Sequence, residues 1–307
     1  MRRIELSILV AAFLLAAGVN PAVAANGTKQ KSFVTPEEAA QQFAAAVRSG
    51  DSRVLIEILG PDARAIIASG DPVEDSKARG RFTRAYDEAN KLERTGDAKA
   101  ILSVGRDEWP FPIPIVKDAA GWRFDTKQGK DEILNRRIGR NERHAIQAAL
   151  AYVDAQREYY ARNPQGDKLL QYAQKFLSAS GKRDGLYWPA RASEQPSPLG
   201  PGYAAARAEG YGKDSSGKPS PYHGYVYRIL KGQGPEARGG AYDYLAQGRM
   251  IGGFALVAYP AEYGNSGVMT FMVNHDGTVY EKDLGPDTGR VARKVSRFNP
   301  DKTWKPL

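Results

Sequence analysis

The chain contains no cysteine. Disulfide staples, cysteine nucleophiles, Cys-based zinc sites and iron–sulfur clusters are therefore excluded, and stability must come from a packed core. Histidine is scarce: His144, His223 and His275 are the only three. None has a second histidine three or four positions away, so no local chelating pair is present. A phosphate-cradling Gly loop, a dinucleotide-binding fingerprint and an HExxH motif are also missing. After the first 25 residues no apolar run is long enough to span a bilayer. The expectation is no metal, no cofactor and no transmembrane segment in the mature chain.

At 307 residues, two domains are expected. A composition of 42% hydrophobic and 26% charged residues suits a globular protein and argues against wholesale disorder. The first residues stand apart. Arg2 and Arg3 precede the uncharged apolar run Ile8 to Val19, and small residues follow in Pro21-Ala22-Val23-Ala24-Ala25. This pattern predicts a secretory signal peptide over residues 1–24, cleaved after Ala24 or after Ala25. Its length disfavours an uncleaved anchor, and no cysteine follows to carry a lipid. The expected location is outside the cytoplasm, which in a Gram-negative cell means the periplasm. The net charge is +9, and +8 once residues 1–24 are removed. An exported protein rarely meets nucleic acid, so no nucleic-acid partner is expected. Anionic envelope polymers, lipid head groups or envelope proteins are the natural counterparts; the plainer reading is a solvated basic surface.

Thr35-Pro36-Glu37-Glu38 predicts a helix start, with Thr35 as cap, Pro36 at the first position and Glu38 completing a capping box. A second helix after Asp51 carries Val54, Leu55, Ile58 and Leu59 as its stripe, and a third is expected over Ser76 to Leu92. The period then becomes strand-like at Ala100 to Val104. Trp109-Pro110-Phe111-Pro112-Ile113-Pro114 must be an edge or extended segment, and Ile113 to Lys117 with Gly121 to Asp125 predicts a hairpin. A long helix is expected over Asn141 to Arg162 and a shorter one over Asp167 to Leu177. Residues 181–222 hold seven Gly and six Pro, a density at which regular structure fails, and read as a long loop that is ordered at its start, where GKRDGLYWPA (181–190) is rich in aromatics and charge, with Lys213 to Ser220 as a mobile tip. The rest is β-rich, with strands at Tyr225 to Leu230, Gly253 to Tyr259, Val268 to Asn274 and Thr278 to Asp283. Asp276-Gly277 is a hairpin turn, and a short helix covers Thr288 to Ser296.

Gly264-Asn265-Ser266-Gly267 superficially resembles a serine-hydrolase loop. A nucleophile elbow, however, needs glycine two positions after the Ser and a helix beyond; position 268 is Val and a strand follows. The intervening strand also separates Ser266 from His275 by roughly 3.3 Å per residue, too far for a catalytic pair. Asn274-His275-Asp276-Gly277 lacks the acidic ligand set of a calcium loop. The densest positive cluster is Arg136, Arg137, Arg140 and Arg143, able to bind an anion but read more plainly as a solvated junction between domains. Aromatics crowd the second half, so Trp188, Tyr187, Arg183, Asp184, His223, Tyr225 and Asp243 are candidate binding residues.

Helices followed by a small sheet ending in a Gly-Trp hairpin (Thr35 to Thr126) resemble the cone of the nuclear-transport-factor-2-like superfamily, which often holds an apolar pocket. The segments WPFPIP (109–114), GWRFDT (121–126), NRRIGRNE (135–142), YVDAQREY (152–159), GKRDGLYWP (181–189), GGAYDY (239–244), GRMIGGFALVAYPAEYG (248–264), SGVMTFMVN (266–274) and KDLGPDT (282–288) are similar to the secreted bacterial family catalogued as domain of unknown function 2950. The resemblance covers nearly all of the mature chain and implies a signal peptide, with no catalytic residues to carry over. The helix around Asn141-Glu142 and Gln156-Arg157-Glu158-Tyr159, with the strands of 254–277, resembles the globular domain of type IV pilins and pseudopilins. The N-terminal helix and prepilin cleavage site needed to polymerise are absent.

The sequence thus predicts an α+β protein: an N-terminal α+β domain at 25–130, and at 131–307 a long helix packed on an antiparallel meander. The expected function is a non-catalytic binding or accessory module of the cell envelope. The alternatives are a hydrolase with a site between the domains built from scattered carboxylates with His223 or Tyr residues, which a cleft lined by Asp184, His223 and Asp243 would favour, and a carbohydrate-binding module with Trp188 and several Tyr exposed in one plane.

Overall fold

The computed structural model describes residues 30–191, 193–209, 211 and 221–307. The expected signal peptide and the segment Lys213 to Ser220 lie outside the described residues.

Helix α1 (Pro36–Ser49) starts as its sequence dictates: the Thr35 hydroxyl accepts from the Glu38 N–H at 3.1 Å, with Pro36 in the first turn. The Glu38 carboxylate reaches past Thr35 and accepts instead from the Val34 N–H at 3.1 Å. Gly50, at φ +70, ends the helix. Asp51 caps α2 (Ser52–Leu59), which buries Leu55, Ile58 and Leu59. Val54, expected in that stripe, is exposed. A 3₁₀ turn (Pro61–Ala63) and the one-turn α3 (Arg64–Ile67) lead to α4 (Pro72–Glu88). This helix begins before Ser76 because Asp71 caps it, accepting from the Glu74 N–H at 3.1 Å, with Pro72 next. It stops at Glu88, and Leu92, expected in the helix, lies in a strand opposite Leu102.

That strand, β1 (Asn90–Arg94), opens an antiparallel sheet with β2 (Lys99–Val104), β3 (Trp109–Pro110), β4 (Ile115–Asp118) and β5 (Gly121–Phe124). The order is β1-β2-β4-β5, with β3 on β2. The proline-spaced segment contributes only two strand residues, since proline cannot donate to a ladder. The sheet and the helices enclose a core in which the Phe43 ring lies 5.0 Å from Phe124, 5.1 Å from Phe111 and 5.2 Å from Phe82.

Helix α5 runs Thr126–Arg162, 37 residues, about 55 Å at 1.5 Å per residue. It begins well before Asn141 and so runs across position 131. Its first half serves the N-terminal core: Ile133 packs there, and Gly129 lies so close to the Pro112 carbonyl that a Cβ would sit 2.4 Å from the oxygen. Its second half turns Ala145, Ala149, Tyr152, Val153, Gln156 and Tyr159 inward, a helical stripe facing the C-terminal sheet. One helix therefore contributes to both cores.

The helix expected over Asp167 to Leu177 does not form. The side-chain amide of Gln156 donates to the Ala173 carbonyl and accepts from its N–H, each at 2.8 Å, and the Tyr172 N–H donates to the Met250 carbonyl. These bonds take the backbone groups a helix would use. Conversely, α6 (Gly200–Ala208) forms inside the stretch expected to be a loop.

The C-terminal sheet contains β6 (Tyr225–Leu230), with two small pairs beyond it: β7 (Gly232–Gln233) on β8 (Tyr242–Asp243), and β9 (Leu245–Ala246) on β10 (Arg249–Met250). It continues with β11 (Ala255–Pro260), β12 (Met269–Asn274), β13 (Val279–Asp283) and β14 (Lys305–Pro306). The order is β14-β13-β12-β11-β6, antiparallel throughout. Every residue of β11 is buried, because α5 and α7 (Thr288–Lys294) both pack on it. Gly277, at φ +89, makes the expected turn. The fold is α+β. Among the described residues no helix is long and apolar enough to cross a membrane.

Candidate functional site

The N-terminal half holds a cavity of about 430 Å³. Phe43, Val47, Leu55, Leu59 and Val104 line it and are buried; Phe82, Phe111, Ile66, Ile67 and Ile133 line it and are only half-buried. Half-buried apolar groups around one concavity mean that the helices and the sheet do not close over each other. The outer lining is charged: Glu74, Asp75, Arg79 and Arg81 from α4 meet Arg136, Arg137 and Arg140 from α5. Trp109, from the edge β3, lies against them, with the Arg136 guanidinium 5.3 Å from its ring centre.

Most of these charges have internal partners. Arg137 donates to the Ala65 and Ile66 carbonyls and to the Asn265 side-chain oxygen. Asn265 in turn donates to the Ala68 carbonyl at 2.9 Å. Asn141 donates to the Ser266 carbonyl at 2.9 Å, and the Glu142 carboxylate accepts from the N–H groups of Val268 and Met269, each at 3.0 Å. The loop Gly264-Asn265-Ser266-Gly267 is thus a docking loop, seated on α5 and α3. Ser266 is fully buried, and its hydroxyl accepts from the Glu262 N–H and donates to the Glu262 carbonyl. It has the environment of a structural serine.

Asp75 accepts twice from the Ser69 N–H, and burial raises its pKa above the ordinary carboxylate value. Glu74 accepts from Arg81 at 2.8 Å. Arg140 is different: among the described residues it has no ion-pair partner, and its Nε is buried without a hydrogen bond. Burial lowers its pKa, as do the neighbouring Arg81 and Arg143 guanidinia, with Glu74 opposing.

Behind Glu74 lies a seam between the two halves. His144 on α5 and His223 before β6 are 4.3 Å apart, ring centre to ring centre. His223 has φ +48, a left-handed backbone uncommon for a residue with a side chain. One ring nitrogen lies 4.0 Å from Glu74 and the other 3.9 Å from Glu209, too far for hydrogen bonds. Asp71 ties this seam together. Besides capping α4, its buried carboxylate accepts from the Tyr211 hydroxyl at 3.0 Å and from the Gly224 N–H at 2.9 Å.

Burial lowers the pKa of both histidines; next come Glu74, opposing, for His144 and the His144 ring itself for His223. The folded protein thus binds fewer protons here than the unfolded chain, whose histidines titrate near about 6.5. The seam keeps its full stability above that value and loses it as pH falls through it towards the folded pKa values. Urea midpoints are expected to fall between pH 7.5 and 5, with the raised Asp75 carboxyl opposing part of the fall as it takes up its proton, and the fall should be much smaller in the His144→Gln/His223→Gln double variant.

The residues singled out from sequence scatter. Trp188 is 7% exposed and packs edge-on to Tyr159, so it belongs to the core and forms no open platform. Arg183 lies over its ring and pairs with Glu194, while Tyr187 stacks beside Tyr203. Tyr225 is fully buried, donating to the Met269 carbonyl at 2.9 Å. Asp184 pairs with Lys175 and Asp243 with Arg297, each at 2.6 Å, so neither shares a partner with His223. Of the basic cluster, Arg136 and Arg143 are exposed, whereas Arg137 and Arg140 are half-buried rather than solvated. Sequence spacing does not predict the pairing of His144 with His223 or the bridging role of Asp71. For Asp71 a signal exists, since Asp71-Pro72-Val73-Glu74 is itself a capping pattern.

No curated protein and no solved structure matches the chain. A family model does match, over residues 30–307, and its description is Protein of unknown function (DUF2950). With the match spanning nearly the whole chain, the protein belongs to the DUF2950 family.

Proposed function

We propose that the protein is a non-catalytic binding module exported to the cell envelope, and that the N-terminal cavity is its ligand site. The observation that carries this reading is the cavity itself. Its 430 Å³ falls within the ~300–1,000 Å³ typical of small-molecule sites. The lining contains no Ser, Cys, His, Lys or Tyr, and its two carboxylates are already engaged by Arg81 and by the Ser69 N–H, which supports binding over catalysis. Asp184 pairs with Lys175 and Asp243 with Arg297, so the trio of Asp184, His223 and Asp243 does not form a shared site.

The uncharged fluorophore N-phenyl-1-naphthylamine tests the reading. It is expected to bind saturably at one site per chain, and straight-chain alkyl competitors should gain about fourfold in affinity per added methylene, the equivalent of ~0.8 kcal/mol. Fluorescence that rises without saturating, or competitors insensitive to chain length, would count against a cavity site. Export belongs to the same proposal: protein recovered from the periplasm should begin at Ala25 or Asn26, and a retained Met1 would contradict it.

A further inference from the structure

We infer that the occupant of the cavity is an anionic amphiphile, an apolar chain ending in a carboxylate or phosphate-type head group, and that Arg140 selects the head group. This rests on the reading of the cavity as a ligand site.

The apolar depth sets one end of the ligand, and the charges of the outer lining set the other. Five arginines and two carboxylates line the cavity, so a cationic head group is disfavoured there. The arginines differ in what they have left to offer. Arg137 is spent on the Ala65 and Ile66 carbonyls and on Asn265. Arg136 binds Glu132 and covers Trp109. Arg81 holds Glu74. Arg79, without an ion pair among the described residues, sits near Asp75, whose titration it influences.

Among the described residues, Arg140 alone combines a place on the cavity wall with a buried Nε that has no partner. Its Nε has given up water and received nothing in exchange, which leaves the half-buried guanidinium short of acceptors. An anionic oxygen entering from the cavity pairs with the terminal nitrogens of Arg140, which have no protein acceptor among the described residues, and the planar guanidinium suits both carboxylate and phosphate. A neutral ligand leaves Arg140 as it is. Glu74, the carboxylate whose charge acts on Arg140, is itself bonded to Arg81 and lies beside the histidine seam.

The test is displacement of N-phenyl-1-naphthylamine by four ten-carbon competitors: decanoate, decyl phosphate, decanol and decyltrimethylammonium. The two anions should displace the probe at concentrations at least about tenfold lower than decanol, the gain of a charge-assisted hydrogen bond, and the ammonium should be weakest. In Arg140→Gln the roughly tenfold advantage of the anions over decanol should disappear, each competitor being read against the probe affinity measured for that same variant; Arg140→Lys should recover part of the preference. Whichever anion binds more tightly identifies the head group, carboxylate or phosphate, and either order supports the inference. Equal displacement by decanol and decanoate, or an anion preference that survives Arg140→Gln, overturns it while leaving the cavity reading intact. Failure of the probe to bind overturns both.

Discussion

Asp71→Ala is expected to destabilise the protein by about 4 kcal/mol, the sum of a lost helix cap and two lost bonds to a buried charged acceptor. The Asp71 carboxylate serves three donors from three parts of the chain: the Glu74 N–H, the Tyr211 hydroxyl and the Gly224 N–H. Removing it leaves the last two buried without an acceptor where the N-terminal helices meet the C-terminal sheet. The melting temperature should fall by roughly 10 °C. Asp71→Asn keeps the shape and one good acceptor, and should lose less than half as much. An alanine variant within about 1 kcal/mol of the parent in urea unfolding shows that this bridge does not hold the two halves together.

Ala78→Trp is expected to abolish probe binding, weakening it at least tenfold, with little loss of stability. Ala78 lies on α4, lines the cavity and is exposed, so a large side chain there meets open space. An indole at this position occupies volume that a ligand needs and covers the half-buried Phe82 and Ile133. The helix-propensity penalty at an exposed site is about 0.5 kcal/mol, so circular dichroism should show an almost unchanged melting temperature. A well-folded variant that binds N-phenyl-1-naphthylamine as the parent does places the site elsewhere.

The parts of this architecture legible in the sequence are those fixed by local chemistry. Thr35-Pro36 and Asp51 start helices, Asp276-Gly277 turns a hairpin, and the Gly121-Trp122 hairpin forms as expected. The parts that escape a sequence reading depend on partners far away in the chain. The first half of α5 carries Gly129 and Gly139 and few apolar residues, so its periodicity is faint; it is held by Pro112 packing and by Arg137. Asp167 to Leu177 has helical spacing, but Gln156 and Met250 claim its backbone. Among the site residues, Arg137 and Arg140 are visible as a basic cluster, but their burial is not. No local pattern tells that Arg137 is bound to backbone carbonyls while Arg140, three residues on, has no ion-pair partner among the described residues. The histidine pair spans His144 to His223, a separation no spacing rule addresses.

The most direct test of the ligand site is amide NMR mapping of the protein titrated with decanoate. Saturable shifts confined to Ala78, Phe82, Phe111, Ile133 and their neighbours, with Arg140 among the largest, are the predicted result. Shifts centred on Trp188, Tyr187 and Tyr203, or spread evenly over the surface, would contradict it.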